Sequence, residues 1–486
     1  MNIQRRSVSY FLVLILFMSA FLNVLLPGRA AADSVIPISS AADLELIRSN
    51  PSGDFKLTAD IELIEPFVPI PVFSGTLDGD GHVISGLFIH AETNPAKVAF
   101  IVENQGIIER LGLVDATVIG SSANSNHWAG GMTATNRGTI RECFITGVVT
   151  GGYRSAGMSV HNHGLIKNTY ADIIVKAKVE SAALVAVSES GSVLESSYAV
   201  PRVYSEANNT GGLSAYAYTN AVIKNNALMA GTIANGSDSN IARITGRLNG
   251  TPTFLNNVAS VNALVQGSVV SGGTANNHQG LSVTDEALTL LSTYQTTLGW
   301  DFQEVWEMNT ETGRPVLQYF DEIPVFESNS IIYKVLRDES EILSSGVIHR
   351  QMDFIDGNGN IQKANIIDVD LTLPQNTIIV GTADNEIPPT DENGNYIRVA
   401  DEEGRDRMVR THVAGHASTT AAVTGKTVIA GVNGEFFTRD GPEGYMIKDG
   451  SAVINGVRVP GADGKNYPFH GFFGIRYDGT PVIGYR

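Results

Sequence analysis

Cysteine is almost absent from this chain, because Cys143 is the only one in 486 residues. A disulfide framework is therefore excluded, and packing has to stabilise the fold. Basic residues are also scarce, since 33 lysines and arginines stand against 50 acids and give a net charge of -17. This balance disfavours nucleic acid and anionic membranes as partners. Charged residues make up only 17% of the chain, whereas glycine fills 50 positions.

A long apolar run stands at the N-terminus. It extends from Tyr10 to Leu26, follows the paired Arg5-Arg6, and precedes the small-residue site Ala30-Ala31-Ala32. This order predicts a secretory signal peptide over residues 1–32. The alternative is an uncleaved membrane anchor, for which the run is short. We expect a secreted or cell-surface protein that is not inserted in the membrane after cleavage.

A glycine followed two residues later by an aliphatic residue recurs along the chain. The copies are Gly106-Ile107-Ile108, Gly138-Thr139-Ile140, Gly164-Leu165-Ile166, Gly191-Ser192-Val193 and the degenerate Ala221-Val222-Ile223. Their aliphatic positions are 32, 26, 27 and 30 residues apart, a period typical of stacked supersecondary units. Each unit reads as short β segments that cannot close a core alone, so stacking is required.

Stacked coils place equivalent residues above one another, about 4.8 Å apart. We expect an aliphatic ladder of Ile140, Ile166, Val193 and Ile223, an aromatic ladder that includes Phe144 and Tyr170, and a turn ladder of amides at Asn168, Asn225 and Asn256. Glycines are expected to supply the positive φ angles of the corners. Cys143 is expected to fill a small-residue position, because Thr169 is its equivalent in the next unit.

The outward position after the aliphatic ladder carries mixed charge. It holds Glu109, Arg141, Lys167, Leu194 and Lys224. Solenoids that cleave sugars group carboxylates on one face, so this series predicts a solvated face without catalysis. A glycan-binding groove remains open as an alternative, with five candidate tyrosines: Tyr170, Tyr198, Tyr204, Tyr216 and Tyr218.

The order of these motifs resembles bacterial secreted proteins with GLUG-type repeats. The resemblance rests on Leu57–Ile61, on Phe73–His82, and on repeated Gly-Gly-Met/Leu and Asn-x-Gly-x-Ile units. It implies an all-β-dominated protein with a right-handed parallel β-helix of the pectate-lyase-like kind over residues 33–320. The stretch that contains Trp300 and Trp306 is then expected to cap the last coil.

Two aspartate-glycine runs mimic calcium loops. They begin at Asp78 and Asp356, but Ile89 and Ile367 occupy the positions where an EF-hand-type loop needs a bidentate carboxylate. Both runs are therefore predicted to be turns.

The composition changes after an acidic, proline-containing linker at residues 321–329. We expect a mixed α+β domain over residues 330–486, which begins with a β-hairpin closed at Gly357–Asn360. Within it, His412–Val423 predicts a loop and helix, and Val428–Val432 predicts a buried strand. Glu435 follows that strand, where burial could perturb the pKa of a carboxylate.

This second region resembles the N-terminal part of the phosphodiester glycosidase family, which includes N-acetylglucosamine-1-phosphodiester alpha-N-acetylglucosaminidase. The family motif matches Gly431–Phe437, Gly441–Gly444 and Asp449-Gly450, followed by Phe472–Gly479. The resemblance implies catalytic roles for Glu435 and Asn433 and substrate contacts by Gly434, Phe437, Asp440, Glu443 and Gly444.

Two departures from the family pattern bear on activity. Glu435 stands where the family has aspartate, and the later arginine-containing and glycine-rich motifs do not occur in these 486 residues. Those motifs would supply cations and donors for the departing phosphate. We therefore expect the complete gene product to hydrolyse a sugar-1-phosphodiester of the N-acetylglucosamine type, and the present chain to be an inactive N-terminal fragment.

Histidines give no convincing metal motif in the sequence. His412 and His416 have helical spacing, but no glutamate follows His412 and Gly415 lies between them. His161, His163 and His470 are interpreted as loop or coil-turn residues, and no metal or cofactor is predicted. The expected partner is a glycan or sugar phosphate, and the alternative function is a non-catalytic, adhesin-like surface protein. Polysaccharide lyase activity would require carboxylates from neighbouring coils to converge.

Overall fold

The computed structural model describes residues 35–90, 96–121, 123–320, 331–378 and 413–431, together with short strands between 399 and 484. The predicted signal peptide lies outside these residues. No helix in the described part is long and apolar enough to cross a membrane. The chain divides into two compact units, residues 1–333 with 356–360, and residues 334–355 with 361–486.

The first unit is a parallel β-solenoid built from three sheets, which confirms the predicted fold class for this region. Sheet A contains nine strands: Ile36–Ile38, Asp54–Leu57, Thr76–Asp78, Ile107–Glu109, Thr139–Arg141, Leu165–Lys167, Val193–Glu195, Val222–Lys224 and Thr253–Leu255. Sheet C contains seven strands: Ile70–Phe73, Ile101–Asn104, Thr133–Asn136, Ser159–Asn162, Val185–Ser188, Ser214–Tyr218 and Thr245–Asn249.

Sheet B contains sixteen strands and has a main path and a tail. The main path is Ile61–Glu62, Val83–Ser85, Gly112–Ile119, Phe144–Ala156, Tyr170–Ala182, Tyr198–Ser205, Ala227–Leu228, Val258–Ser260 and Leu281–Val283. The tail consists of the strands off this path: Phe88–His90, Lys97–Val98, Trp128–Gly130, Thr210–Gly211, Gly231–Asn235, Ile241–Ala242 and Ala263–Val265.

The aliphatic ladder forms inside sheet A, with one change from the prediction. Ile140 pairs with Ile166, and the next members are Leu194 and Ile223. Val193 was the wrong choice, because it pairs with Leu165 and points away from the core. The connection from Ser188 to Leu194 is two residues longer than that from Asn162 to Ile166. Gly191 therefore stands three residues before the ladder position, and Glu195 rather than Leu194 faces outward. A shift of one residue moves a strand's side chains to the opposite face.

Three of the repeated glycines, Gly106, Gly138 and Gly164, are needed for close backbone approach, whereas Gly191 has a positive φ of 81° and open space around it. A Cβ on Gly138 would lie 2.0 Å from the carbonyl oxygen of Gly106, and one on Gly164 would lie 2.0 Å from that of Gly138. The corner after sheet A instead uses non-glycine residues at positive φ, and they are Asp80, Arg110, Glu142, Asn168, Ser196, Asn225 and Asn256. The expectation that glycines supply the positive φ angles is therefore wrong at Gly106, Gly138 and Gly164 and confirmed at Gly191.

Amide ladders run along the corners. Asn104 donates to Asn136, and Asn136 donates to Asn162, with 2.8 Å between the atoms in each bond. At the predicted ladder, Asn256 donates to Asn225 at 3.1 Å, but Ser196 separates these residues from Asn168.

The aromatic ladder is confirmed and extended by one ring. Phe144, Tyr170 and Tyr198 stack with 4.9 Å between successive ring centroids. Residues 284–320 cover this ladder, with short helices at Ala287–Thr289 and Thr293–Thr297 and a hairpin of Trp306–Met308 and Pro315–Leu317. This covering segment contacts four coils in turn, through Trp300 to Asn225, Pro315 to Tyr198, Arg314 to Asp172 and Phe320 to Phe144. It therefore lies along the side of the solenoid, where it buries aromatic rings, and is not only an end cap.

Two smaller predictions for the solenoid concern Cys143 and the aspartate-glycine run that begins at Asp78. A short helix at Leu44–Ser49 lies between the first two strands of sheet A. Cys143 is buried, in register with the coil position before Tyr170, as expected for a small-residue slot. Asp78 accepts from Arg110 and Asp80 pairs with Lys56, so both carboxylates of the first calcium-like run have cationic partners.

The second unit begins with a three-stranded antiparallel sheet of Lys334–Ser344, Val347–Ile355 and Ile361–Val369. The predicted hairpin is confirmed, and Asp356 accepts the backbone amides of Asn358 and Asn360 in its turn. Further along, the described elements are the helix Val413–Thr424 and five two-stranded ladders: Val399–Ala400 with Asp406–Arg407, Phe437–Thr438 with Gly441–Pro442, Tyr445–Lys448 with Ser451–Asn455, Val459–Pro460 with Asn466–Tyr467, and Phe472–Ile475 with Pro481–Gly484.

The buried strand predicted at Val428–Val432 is wrong for the residues described there. Residues 425–431 form no strand, and Ile429 is 42% exposed. No strand among the described residues pairs with this stretch.

Candidate functional site

Two columns of side chains face each other where the tail of sheet B meets sheet C. The first column is in register through Lys97, Trp128, Arg154 and Glu180. The second passes through Thr135, His161, Val187, Tyr216 and Arg247. Each column crosses successive coils because parallel pairing stacks equivalent positions. We call the surface between them the aromatic corner, defined by Trp128, Arg154, His161, Glu189, Tyr216 and Tyr218.

A separate apolar cluster forms the floor of the aromatic corner. Ala156, Val160, Ala186, Val187 and Tyr216 are buried together outside the main core, and Trp128 and Tyr218 pack against them half-buried. The small alanines leave room for the large rings at the edge of the cluster. The corner therefore combines an apolar base with partly exposed aromatic and polar side chains.

Ring stacking joins the two columns. The indole of Trp128 and the imidazole of His161 lie 3.9 Å apart at an interplanar angle of 14°. The ammonium of Lys97 lies 4.0 Å from the centroid of the Trp128 ring. A cation over an aromatic face is attracted by the ring quadrupole, so Trp128 is held in place by two neighbours.

A tyrosine pair continues the corner along the next coils. Tyr216 and Tyr218 have ring centroids 4.8 Å apart, and the guanidinium of Arg247 lies 5.0 Å from the Tyr216 ring. Asn249 donates to the Tyr216 hydroxyl at 2.8 Å. Burial and a hydrogen bond with Tyr216 raise the pKa of Tyr218. The Tyr218 phenol therefore stays protonated and can donate or accept hydrogen bonds at neutral pH.

Ion pairs hold the charged groups of the corner. Arg154 binds Glu180, whose other oxygen accepts from Asn209 at 3.2 Å. His161 Nδ1 lies 2.7 Å from a carboxylate oxygen of Glu189. The hydrogen bond from His161 lowers the pKa of Glu189, so this carboxylate is ionised at neutral pH.

Burial makes both histidines of this region poor bases. It lowers the pKa of His161 more than the hydrogen bond to Glu189 raises it, and it also lowers the pKa of His163. The Nε2 atom of His161 is buried and has no hydrogen-bond partner among the described residues. His161 lies on a strand and His163 in the bend that follows, so the predicted loop or turn position is confirmed for His163 and wrong for His161. His470 lies outside the described residues.

The residues predicted for glycosidase chemistry are not brought together by the described part of the chain. Asn433, Gly434, Glu435, Asp440, Glu443 and Gly444 lie outside the described residues. Phe437 begins a short strand whose backbone pairs with Pro442. The structure describes only the backbone of Phe437.

The tyrosines predicted for a glycan groove separate into three groups. Tyr170 and Tyr198 are buried beneath the covering segment and are not available to a ligand. Tyr204 is 38% exposed, away from the aromatic corner. Tyr216 and Tyr218 belong to the corner.

Sequence reasoning missed Trp128, Arg154, Glu180 and Glu189. The only available signal was the repeat itself. It identifies equivalent positions on successive coils, but it does not give the register of the extra strands that form the tail of sheet B. Trp128 lies on one of these tail strands, and it contacts His161 only because the coils are stacked.

Comparison with known proteins gives little direct information about function. No family model matches the chain. Halomucin from Haloquadratum walsbyi (strain DSM 16790 / HBSQ001) is 32% identical over 158 residues. That match covers 28% of this chain and 2% of halomucin, so this chain corresponds to a small part of its relative.

A solved structure from Bacteroides ovatus, described as a candidate immunoglobulin A1 protease, also resembles the chain. It is 18% identical, with a TM-score of 0.45, and the match covers 59% of this chain and 93% of that structure. A likeness of this size carries no inference about function.

Proposed function

We propose that the solenoid is a glycan-binding scaffold of a secreted or cell-surface protein, and that the aromatic corner is its binding surface. The observation that carries the proposal is the Tyr216–Tyr218 ring pair beside the Trp128–His161 stack. Sugar rings have apolar faces that pack against aromatic side chains, while their hydroxyl groups need donors and acceptors. The corner supplies both within one surface.

The arrangement of the columns favours a linear ligand. Trp128, His161 and Tyr216 occupy three different coils, so a chain laid across successive coils would meet them in order. Glu180 and Glu189 accept hydrogen bonds and Arg154 donates them. These mixed charges suit the hydroxyl groups of a neutral polysaccharide, whereas the net charge of -17 disfavours polyanions.

Tyr218 is the most direct residue for a test, because it is half-exposed at the edge of the corner. Tyr218→Ala should weaken binding to a recognised polysaccharide about tenfold, which corresponds to about 1.4 kcal/mol. The measurement is titration calorimetry of the whole chain against a panel of neutral bacterial polysaccharides. A panel without any binder would refute the proposal.

Tyr204→Ala is the matched control. Tyr204 is another partly exposed tyrosine of the solenoid, but it lies against Lys176, 5.9 Å from its ammonium, and outside the corner. Its substitution should leave the affinity unchanged. Equal losses in both variants would show that binding does not take place at the aromatic corner.

The second, more specific proposal is a glycosidase role for the second unit. It is supported by the resemblance of its motifs. Gly431–Phe437 and Gly441–Gly444 match the phosphodiester glycosidase pattern, with Glu435 at the position of the family carboxylate. We propose that the complete gene product hydrolyses a sugar-1-phosphodiester. In this role the solenoid would bind the glycan that carries the substrate.

Release of N-acetylglucosamine from a UDP-sugar or a sugar-phosphate diester tests this role separately. The complete gene product should be active, and Glu435→Gln should abolish release without changing the affinity for polysaccharide. If Glu435→Gln stays active, Glu435 has no part in the chemistry. If the complete product is inactive while polysaccharide still binds, the protein is a non-catalytic surface scaffold.

A further inference from the structure

Three metal-ligating side chains converge at one edge of the aromatic corner. His161 and His163 are two residues apart at the end of one sheet C strand, and Glu189 follows the neighbouring strand on the next coil. Because Asn162 pairs with Ser188, His163 and Glu189 occupy adjacent positions of adjacent coils. One ligand atom from each of the three residues lies within 4.8 Å of the others.

We propose that His161, His163 and Glu189 bind a divalent transition-metal ion of the zinc class, each through one atom. Two imidazole nitrogens and one carboxylate oxygen form a ligand set typical of zinc. Calcium and magnesium prefer sites with several oxygen ligands, and this cluster offers a single carboxylate. Three protein ligands leave a fourth position open to water or to a ligand oxygen.

The distances are compatible with closure around an ion after small side-chain rotations. Metal–ligand bonds of about 2.1 Å in a tetrahedron place the ligand atoms roughly 3.4 Å apart. The His161–Glu189 pair is already closer than that, at 2.7 Å. All three ligand atoms lie within 4.8 Å of one another, so reaching this spacing needs a movement of at most about 1.4 Å. His163 lies in a bend, where its side chain is half-buried.

The surroundings keep the ligand set in place. The His161 side chain is 13% exposed and stacked on Trp128, which limits its rotation. Nearby cations have their own carboxylates, since Arg154 binds Glu180 and Arg137 lies 3.2 Å from Glu103. No other group of three or more potential metal ligands occurs among the described residues. The proposal does not depend on glycan binding.

The test is zinc titration of the whole chain, purified without a polyhistidine tag and freed of metal with a chelator. We expect one equivalent of Zn²⁺ to bind and to raise the melting temperature, because an ion that binds only the folded state stabilises it. His163→Ala and Glu189→Gln should each weaken binding about 100-fold or more, since loss of an outer partner alone costs about 10–100-fold.

His82→Ala is the matched control. His82 Nδ1 lies 3.1 Å from Asp60, so this pair repeats the histidine–carboxylate contact without belonging to a three-ligand group. Its substitution should leave the stoichiometry and affinity unchanged. Absence of saturable zinc binding would overturn the proposal, as would full binding by Glu189→Gln. Circular dichroism checks the fold of each variant, and Glu189→Gln alone decides the question if His163→Ala does not fold.

Discussion

Trp128 and His161 stack face to face across two neighbouring coils, with their ring centroids 3.9 Å apart. Trp128 comes from the tail of sheet B, and His161 comes from sheet C. The contact therefore joins two sheets at the aromatic corner. It also removes His161 from water, and this desolvation is what lowers the pKa of the imidazole.

Acidification should destabilise the solenoid through His161. Its folded-state pKa is below the ordinary value, so the unfolded chain binds the proton more readily. Stability is then complete above about pH 6.5 and falls as the pH decreases toward the folded pKa. The melting temperature should drop more between pH 7.5 and about pH 5.5 in the wild type than in His161→Gln.

Four neighbouring groups modulate this effect. Glu189 and Glu180 favour the charged imidazole, whereas Arg154 disfavours it, and His163 lies beside the ring. The pH range stays above the ordinary pKa of carboxylates, so their own titration contributes little. An equal pH dependence in both proteins would contradict the role of His161.

Two tyrosines of the same stack should respond oppositely to loss of the hydroxyl group. The Tyr170 hydroxyl is buried without a hydrogen-bond partner among the described residues, whereas the Tyr198 hydroxyl donates to Pro315 at 2.9 Å. Tyr170→Phe should leave the free energy of unfolding unchanged or raise it by up to about 1–2 kcal/mol. Tyr198→Phe should lower it by about 1–2 kcal/mol. Denaturant titration compares them, and equal changes would be inconsistent with these contacts.

The buried amide ladder should be sensitive to interruption. Asn136 accepts from Asn104 and donates to Asn162, and all three side chains are buried. Asn136→Ala removes the hydrogen bonds to Asn104 and Asn162 and should cost about 1–3 kcal/mol, about 0.5–1.5 kcal/mol for each bond. The exposed Asn126 provides the control, and Asn126→Ala should change stability by less than about 0.5 kcal/mol. Similar values from denaturant titration would refute the ladder's contribution.

Arg243 should stabilise the C-terminal coils of the solenoid through its hydrogen bonds. It is fully buried and donates to the carbonyl oxygens of Ser260, Gln279 and Gly280 and to the hydroxyl of Ser282. Arg243→Met removes these donors and should destabilise the protein by about 3 kcal/mol.

Limited proteolysis locates this effect and supplies its control. Cleavage between residues 261 and 283 should become faster in Arg243→Met, because the segment loses its attachment. Arg247→Met changes an exposed arginine four residues later and should leave the cleavage rate unchanged. Protection of this segment in Arg243→Met would show that other contacts hold it.

The sequence predicted the ladders better than it predicted their register. Ile140, Ile166 and Ile223 were assigned correctly because a small residue two positions earlier, glycine in the first two coils and Ala221 in the third, marks each coil. Val193 was misplaced because Gly191 stands three residues before the ladder position instead of two, and Ser192 occupies the place that glycine fills in other coils. Only the pairing of neighbouring strands distinguishes the two alignments.

The sequence by itself determined a stacked parallel solenoid, an aromatic ladder and a buried cysteine, because a repeat forces equivalent side chains into columns. The tertiary structure alone decided that residues 284–320 run along the side of the solenoid and bury its aromatic rings. It also decided that Trp128, His161 and Glu189 meet. Trp128, His161 and Glu189 belong to three successive coils, and Trp128 lies on a different sheet from His161. Only the stacking of coils brings them within contact distance.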